Sequence, residues 1–574
     1  MTTLEQLPKT SRFTDWMTPD SKVPTIAEAK KAGDEVVRKA RAVNGSYTWV
    51  RPERREKWEL VGVSSAAMRD LGLDEKEKDS KFFQDVMAGQ EVIEDEERGL
   101  YPWAQAYAGW QFGDWVGQLG DGRVISLFEG SNETLGKRYE VQLKGAGLTP
   151  YSRFADGKAV LRSSIREALG SEAVSALGIP TTRALSLISL PETKARRQTT
   201  ESCAIVARMA ETWVRIGTFD FQRARGARAE MRRLADYCIS EVFGGDDKLV
   251  KAKNDDETRY TRLYREICLR NAYTLAYWQA YGYMNGVLNT DNTSIYGLTI
   301  DYGPFSFMDT FDSSFTPNHD DGLLRYSYKN QPSVIWWNLV RLGENMGELL
   351  GADSDLVDDK TFVEEGLKQE QIKGVLERAE KAIEGAGDEF TARFKAKYVE
   401  LMGQRLGLVE QRDDDHDTVL TPLLDMLQEC ELDYNQFFRK LGDATFFSGT
   451  NVDPDVFFQK DRGFVPSLDL EEAKSRVSKW LETYKSRLES EGSTNDASRR
   501  ERMHKVNPKF VLKTWVMDEV IEKAQKGDFE MYNQVLEMSL DPFKDSWGFD
   551  KALEDRVTGD TPKTGRDIQC SCSS

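Results

Sequence analysis

The runs "KRYEVQLKGAG" (137–147) and "SSIREALGSEAVSALGIP" (163–180) are near neighbours in the chain and carry different periodicities. In the first, Tyr139, Val141 and Leu143 alternate with Glu140, Gln142 and Lys144, the period of a strand with two distinct faces. In the second, Ile165, Leu169, Ala173 and Leu177 recur every four residues, as in a helix, and Gly178 and Pro180 stop it. A strand lysine followed by a helix glutamate, Lys144 then Glu167, is how a two-lobed nucleotide enzyme fixes the cation that neutralises phosphate. Just upstream, "GDGR" (120–123) supplies a tight turn at which backbone N–H groups can approach phosphates: Gly120, Gly122 and Arg123 are its candidates. "GRVISLFEG" leaves that turn as a strand.

Further along, "GVLNTDNTSIYGLTIDYG" (286–303) places Asp291 and Asp301 ten residues apart, with Asn292 beside the first. Carboxylate and carboxamide oxygens are hard ligands suited to Mg2+. Singly, each element has a plainer reading. Lys144 reads as a solvated strand face, and Glu167, three residues after Ser164, as half of a capping box. "TDN" and "DYG" read as turns. The ordered set points to a magnesium–nucleotide site.

Composition narrows the classes. At 574 residues the chain allows two to four domains or one large two-lobed enzyme. With 78 basic against 96 acidic residues the net charge is −18, which argues against a general nucleic-acid binder. No apolar run approaches membrane-spanning length. Residues 1–30 hold four basic and four acidic residues, matching neither a secretory signal nor an import peptide. Histidine occurs only at 319, 416 and 504, too sparse for a His-paired nucleophile or a multi-His zinc site. Of six cysteines, Cys203, Cys238, Cys268 and Cys430 read as buried thiols of a reducing compartment. Cys570 and Cys572 stand in the terminal "DIQCSCSS" and are candidates for a redox role.

The expected class is α+β, with five segments. Residues 1–100 form a charged arm packing on the lobes, and 101–215 a strand-rich N-lobe. Residues 216–490 form a helical C-lobe carrying the catalytic and metal loop. "LESEGSTNDASRRER" (488–502) reads as a flexible joint before a helical extension over 491–555. Residues 556–574 are expected to be a mobile tail.

The blocks "QLKGAGLTPYSRFADGKAVLRSSIREALGSEAVSALGIPTTRAL", "NTDNTSIYGLTIDYGPFSFMD", "YAGWQFGDWVGQLGDGR", "NPKFVLKTW" and the final "CSS" closely resemble the selenoprotein O family. The resemblance runs from about residue 101 to the C-terminus. It implies a protein-kinase-like fold, long labelled a pseudokinase, that transfers AMP from Mg-ATP to Ser, Thr or Tyr hydroxyls of proteins. The nucleotide lies inverted relative to a protein kinase. By motif, Lys144 would contact phosphates, Glu167 would pair with it, and Gly120, Gly122 and Arg123 would line the nucleotide. Asp156 and Gly157 of "ADGK" would meet its outward part, and Arg208 and Arg215 would clamp the terminal phosphate. Asp291 would be the base, and Asn292 and Asp301 would hold Mg2+, with Mn2+ as an alternative. Base and metal-binding Asn are adjacent here, not five apart as in protein kinases.

Many members have histidine where Trp110 and Asn285 stand, from which only packing consequences are expected. The segment after "DYG" lacks the cysteine that bacterial members can use in a regulatory disulfide. Animal members carry selenocysteine at the place of Cys572. The family also implies a link to redox homeostasis and a mitochondrial location, with the cytoplasm as alternative, and a monomer is expected. Two rival readings stay open: a conventional protein kinase, and a catalytically silent nucleotide-binding scaffold whose tail thiols do the work.

Overall fold

The computed structural model describes residues 1–448, 452–459 and 466–571. Among these residues the fold is α+β, with strands concentrated before residue 215 and helices after it. The strands of the first part are β1 (Lys9–Thr10), β2 (Tyr47–Trp49), β3 (Glu59–Val63), β4 (Trp103–Gln105), β5 (Ala108–Gln111) and β6 (Asp114–Gln118). They continue with β7 (Val124–Asn132), β8 (Lys137–Lys144), β9 (Ala159–Val160), β10 (Arg183–Arg196) and β11 (Thr200–Ala210). Nine of them form one antiparallel sheet in the order β2-β4-β7-β8-β11-β10-β3, with β1 beside β7 and β9 beside β11. Strands β5 and β6 pair only with each other. Residues 1–100 go beyond the expected arm, because β2 and β3 occupy the two ends of that sheet.

The alternation in β8 is borne out, but both faces are buried. Tyr139, Val141 and Leu143 pack into an apolar cluster with Leu71, Phe83 and Ile125. On the other face the Ser126 hydroxyl donates to Glu140 (2.6 Å), and the Gln142 amide donates to Ser126 (2.9 Å). Burial pushes the Glu140 carboxyl up to about 8. This is the interior polar layer on which the site is built.

Helix α1 (Leu161–Ala176) follows β9 and ends at Gly178, whose φ of +78° suits glycine. Its N-cap is Val160, so Ser164 lies inside the helix with its hydroxyl unpartnered, and the expected Ser164–Glu167 capping box does not form. Gly170 lets α1 approach the "DYG" segment: a Cβ there would sit 2.5 Å from Phe305 Cζ and 2.8 Å from Tyr302 Cδ1. Arg166 reaches the same segment, donating from Nε to Gly303 O (3.1 Å) and from Nη2 to Phe305 O (2.7 Å).

After residue 215 come α2 (Ile216–Ala224), α3 (Arg259–Tyr281), α4 (Gln331–Asn345) and the long α5 (Gln369–Arg405), which packs along α3. The expected joint at 488–502 is mostly helical, belonging to Leu470–Ser490 and Asp496–His504. Within it Arg499 is fully buried and donates to Leu441 O (3.0 Å), so this largely exposed stretch is anchored to the body of the fold. The tail is also pinned. Thr561 donates to Asp309 (3.0 Å) and Asp433 (3.1 Å), and Cys570 N donates to Pro317 O (2.9 Å). Cys203, Cys238, Cys268 and Cys430 are buried, Cys570 is half-buried, and Cys572 lies outside the described residues.

Candidate active site

Strands β12 (Tyr283–Met284) and β13 (Ser306–Phe307) pair antiparallel and close the base of the loop that carries Asp291, Asn292 and Asp301. A second tie comes from the end of β11. Arg215 bridges Ser294 in the antiparallel sense, and Ile216 N donates to Thr293 O (2.9 Å). These contacts bring Gly120, Gly122, Arg123, Lys144, Arg208, Arg215, Asp291, Asn292 and Asp301 to one cavity of about 230 Å3.

Glu167 lies behind this wall and organises its cations. One carboxylate oxygen pairs with Lys144, and the other with Arg208 Nη1 at 2.9 Å. Burial opposes the charge, but Lys144 and Arg208 outweigh it and hold the carboxyl at about 2. Lys144 Nζ is also 3.7 Å from Asp301 Oδ1, so the lysine spans from helix to loop. Arg208 lies over the Trp213 ring (4.2 Å) and donates from Nη2 to Gln142 Oε1 (3.1 Å). Arg215 is 4.3 Å from the Tyr107 ring and donates to Trp213 O (3.1 Å) and Asp291 O (3.4 Å). Its Nη2 is buried and has no partner among the described residues. A buried guanidinium N–H on a cavity wall is a ready donor for an anionic oxygen.

Asp291 is buried, with Oδ2 accepting from Gln111 Nε2 (3.1 Å) and Oδ1 lacking any partner. Burial pushes this carboxyl up to about 7, against the pull of Gln111 and Arg215. The Asn292 amide donates to Val287 O (3.1 Å), which leaves its carbonyl oxygen for a cation. Asp301 has a φ of +63°, unusual for a residue with a side chain, and its carbonyl accepts from Asn285 Nδ2 (3.3 Å). Asn285 therefore braces the metal-side loop, beyond the packing expected of it. The free Asn292 carboxamide oxygen and the Asp301 carboxylate form a hard donor pair suited to Mg2+.

Other expectations fare differently. The "GDG" turn lines the cavity, and a Cβ at Gly120 would sit 2.5 Å from the Tyr151 ring. However, the N–H groups of Asp121 and Gly122 donate to Gln105 O (2.9 Å) and Gly120 O (2.8 Å), not into the cavity. Asp156 is held by both terminal nitrogens of Arg197 (2.9 and 3.0 Å). Gly157, at φ +71°, packs against the Gly147 backbone. From this loop it is Arg153 and Ala155 that line the cavity.

Three participants went unread in the sequence: Gln111, Asp121 and Asp220. Asp121 is buried and accepts from Gln105 N (3.0 Å). Asp220, on α2, accepts from Thr290 Oγ1 and Asn345 Nδ2, both at 2.6 Å, and burial raises its carboxyl to about 6. Only an acid on the apolar face of a helix would have signalled Asp220.

A family model described as "Protein adenylyltransferase SelO" matches residues 37–540. A Schizosaccharomyces pombe protein named "Protein adenylyltransferase SelO, mitochondrial" is 43% identical over all of this chain and 99% of its own length. A Saccharomyces cerevisiae protein of the same name is 35% identical over 83% of this chain and 81% of its own. A Cupriavidus pinatubonensis "Protein nucleotidyltransferase YdiU" is 38% identical over 87% of this chain and 88% of its own. With the cavity, its paired cations and its buried carboxylates in place, this chain belongs to the SelO family of protein adenylyltransferases.

Proposed function

We propose that this enzyme joins AMP from ATP to a Ser, Thr or Tyr hydroxyl of a protein acceptor, and that its two halves are arranged as the lobes of a protein kinase. The observation that carries the reading is that the unpartnered Arg215 Nη2 and the unpartnered Asp291 Oδ1 belong to residues lining one cavity with Arg208. Two guanidinium groups suit the terminal phosphate of an inverted nucleotide, which leaves the α-phosphorus toward the acceptor. The acceptor oxygen attacks that phosphorus, its proton passes to Asp291, and pyrophosphate departs. A carboxyl near 7 is well matched to such a base at neutral pH.

Lys144, steadied by Glu167, neutralises phosphate oxygens from the sheet side. Mg2+, or Mn2+, would add charge neutralisation there, held by Asn292 Oδ1 and the Asp301 carboxylate. Gly120, Gly122 and Arg123 flank the nucleotide. Asp156 and Gly157 would act only at the rim, through the loop that bears Arg153 and Ala155. The lobes correspond to 101–215 and 216–490, with 1–100, 491–555 and 556–574 as additions. The two fungal relatives are named mitochondrial, which supports that compartment here.

The test is incubation of the protein and an acceptor with ATP labelled at the α- or the γ-phosphate. Protein-bound α-label with no γ-label is expected. Incorporation of γ-label alone would make it a protein kinase, and incorporation of neither, with ATP still bound, would leave a scaffold.

A further inference from the structure

We infer that Gln111, carried by the β5–β6 hairpin, is a positioning residue for the base Asp291. The inference rests on the adenylyl-transfer reading above.

The hairpin makes no ladder with the large sheet. It is tied instead to the catalytic loop, residue by residue. Trp110 N donates to Thr290 Oγ1 (2.9 Å), and Phe112 N donates to Asn289 Oδ1 (3.3 Å) and to Tyr326 OH (2.8 Å). Between these two backbone anchors the Gln111 amide reaches Asp291 Oδ2. The approach is close on both sides, and at Gly217 it leaves no room for a side chain. A Cβ at Gly109 would sit 3.0 Å from Asp291 Oδ1, and one at Gly217 would be 2.3 Å from Ala108 O and 3.1 Å from Asp291 Cα.

A carboxylate has two oxygens, and its χ2 is broad and roughly two-fold. Anchoring Oδ2 to a donor on a fixed strand selects one orientation and leaves Oδ1 bare to receive a proton. Without that donor, Asp291 would sample orientations in which its free lone pairs miss the acceptor hydroxyl, and a near-attack geometry would be populated less often. Gln111 touches neither the cations nor the metal-side oxygens, so its removal acts on turnover and spares nucleotide binding.

The experiment compares Gln111→Met, which keeps the shape and loses the donor, with Gln111→Glu, which replaces the donor by an acceptor facing a carboxylate. Transfer of α-label to an acceptor gives kcat and KM for ATP, and ATP binding is measured separately. Both variants are expected to lose tenfold or more in kcat, with KM for ATP and ATP affinity within about twofold of the unaltered enzyme. A role in filling space alone would leave Gln111→Met near full activity, and that result overturns the inference. Weaker ATP binding at unchanged kcat overturns it too, since Gln111 would then serve the nucleotide. Failure of the unaltered enzyme to transfer α-label would instead sink the proposed function.

Discussion

Glu167 holds Lys144 with one carboxylate oxygen and Arg208 with the other, so a single side chain of α1 links two strands, β8 and β11. The carboxyl lies at about 2 in the folded chain against an ordinary glutamate value of 4.5. A depressed acid contributes stability that is present in full above 4.5 and fades as pH falls toward 2. At about 1.4 kcal/mol per unit, that is on the order of 3 kcal/mol at neutral pH. Urea unfolding of the unaltered protein and Glu167→Gln should show a wide stability gap at pH 7 that narrows by pH 3.5. A gap independent of pH would mean that the carboxylate carries no such charge.

Arg215→Lys should raise KM for ATP about tenfold or more. Lysine cannot supply the fork that now serves Trp213 O, Asp291 O and the unpartnered Nη2 position at once. Steady-state kinetics with varied ATP checks this, and an unchanged KM would remove Arg215 from the nucleotide site.

Asp220→Ala should lower both stability and turnover. It strips buried Thr290 and half-buried Asn345 of their shared acceptor, at about 1–3 kcal/mol for the orphaned buried hydroxyl. Because Thr290 directly precedes Asp291, kcat should fall even at temperatures where the variant stays folded. Melting curves and α-label transfer at 15 °C separate the two effects.

Gly170→Ala tests the contact between helix and loop. Alanine favours a helix by about 1 kcal/mol over glycine, but here its methyl meets Phe305 and Tyr302. Net destabilisation of about 1–3 kcal/mol with reduced transfer is expected, measured by denaturant unfolding and activity. Stabilisation would show that α1 has room to shift.

Much of this architecture could be read directly. The period of β8 and of α1, the lysine and glutamate on them and the Asp291–Asp301 spacing required no tertiary information. What escaped was whatever depends on long-range closure. Ser164 looked like a cap because the two-residue strand β9, made by pairing with β11, moved the helix start to Leu161. The stretch 488–502 looked like a joint because its charges are conspicuous, whereas Arg499 is buried and donates to a carbonyl of a distant helix. The tail looked mobile because its partners, Asp309 and Asp433, lie far back in the chain. Gln111 carried no signal, since a lone amide in a strand is ordinary until the fold sets a carboxylate opposite it.

Consecutive residues of α1, Arg166 and Glu167, reach in different directions, one to the carbonyls of Gly303 and Phe305 and the other to Lys144 and Arg208. Displacing this rod would therefore loosen the segment that follows Asp301 and the two cations of the cavity wall in a single movement.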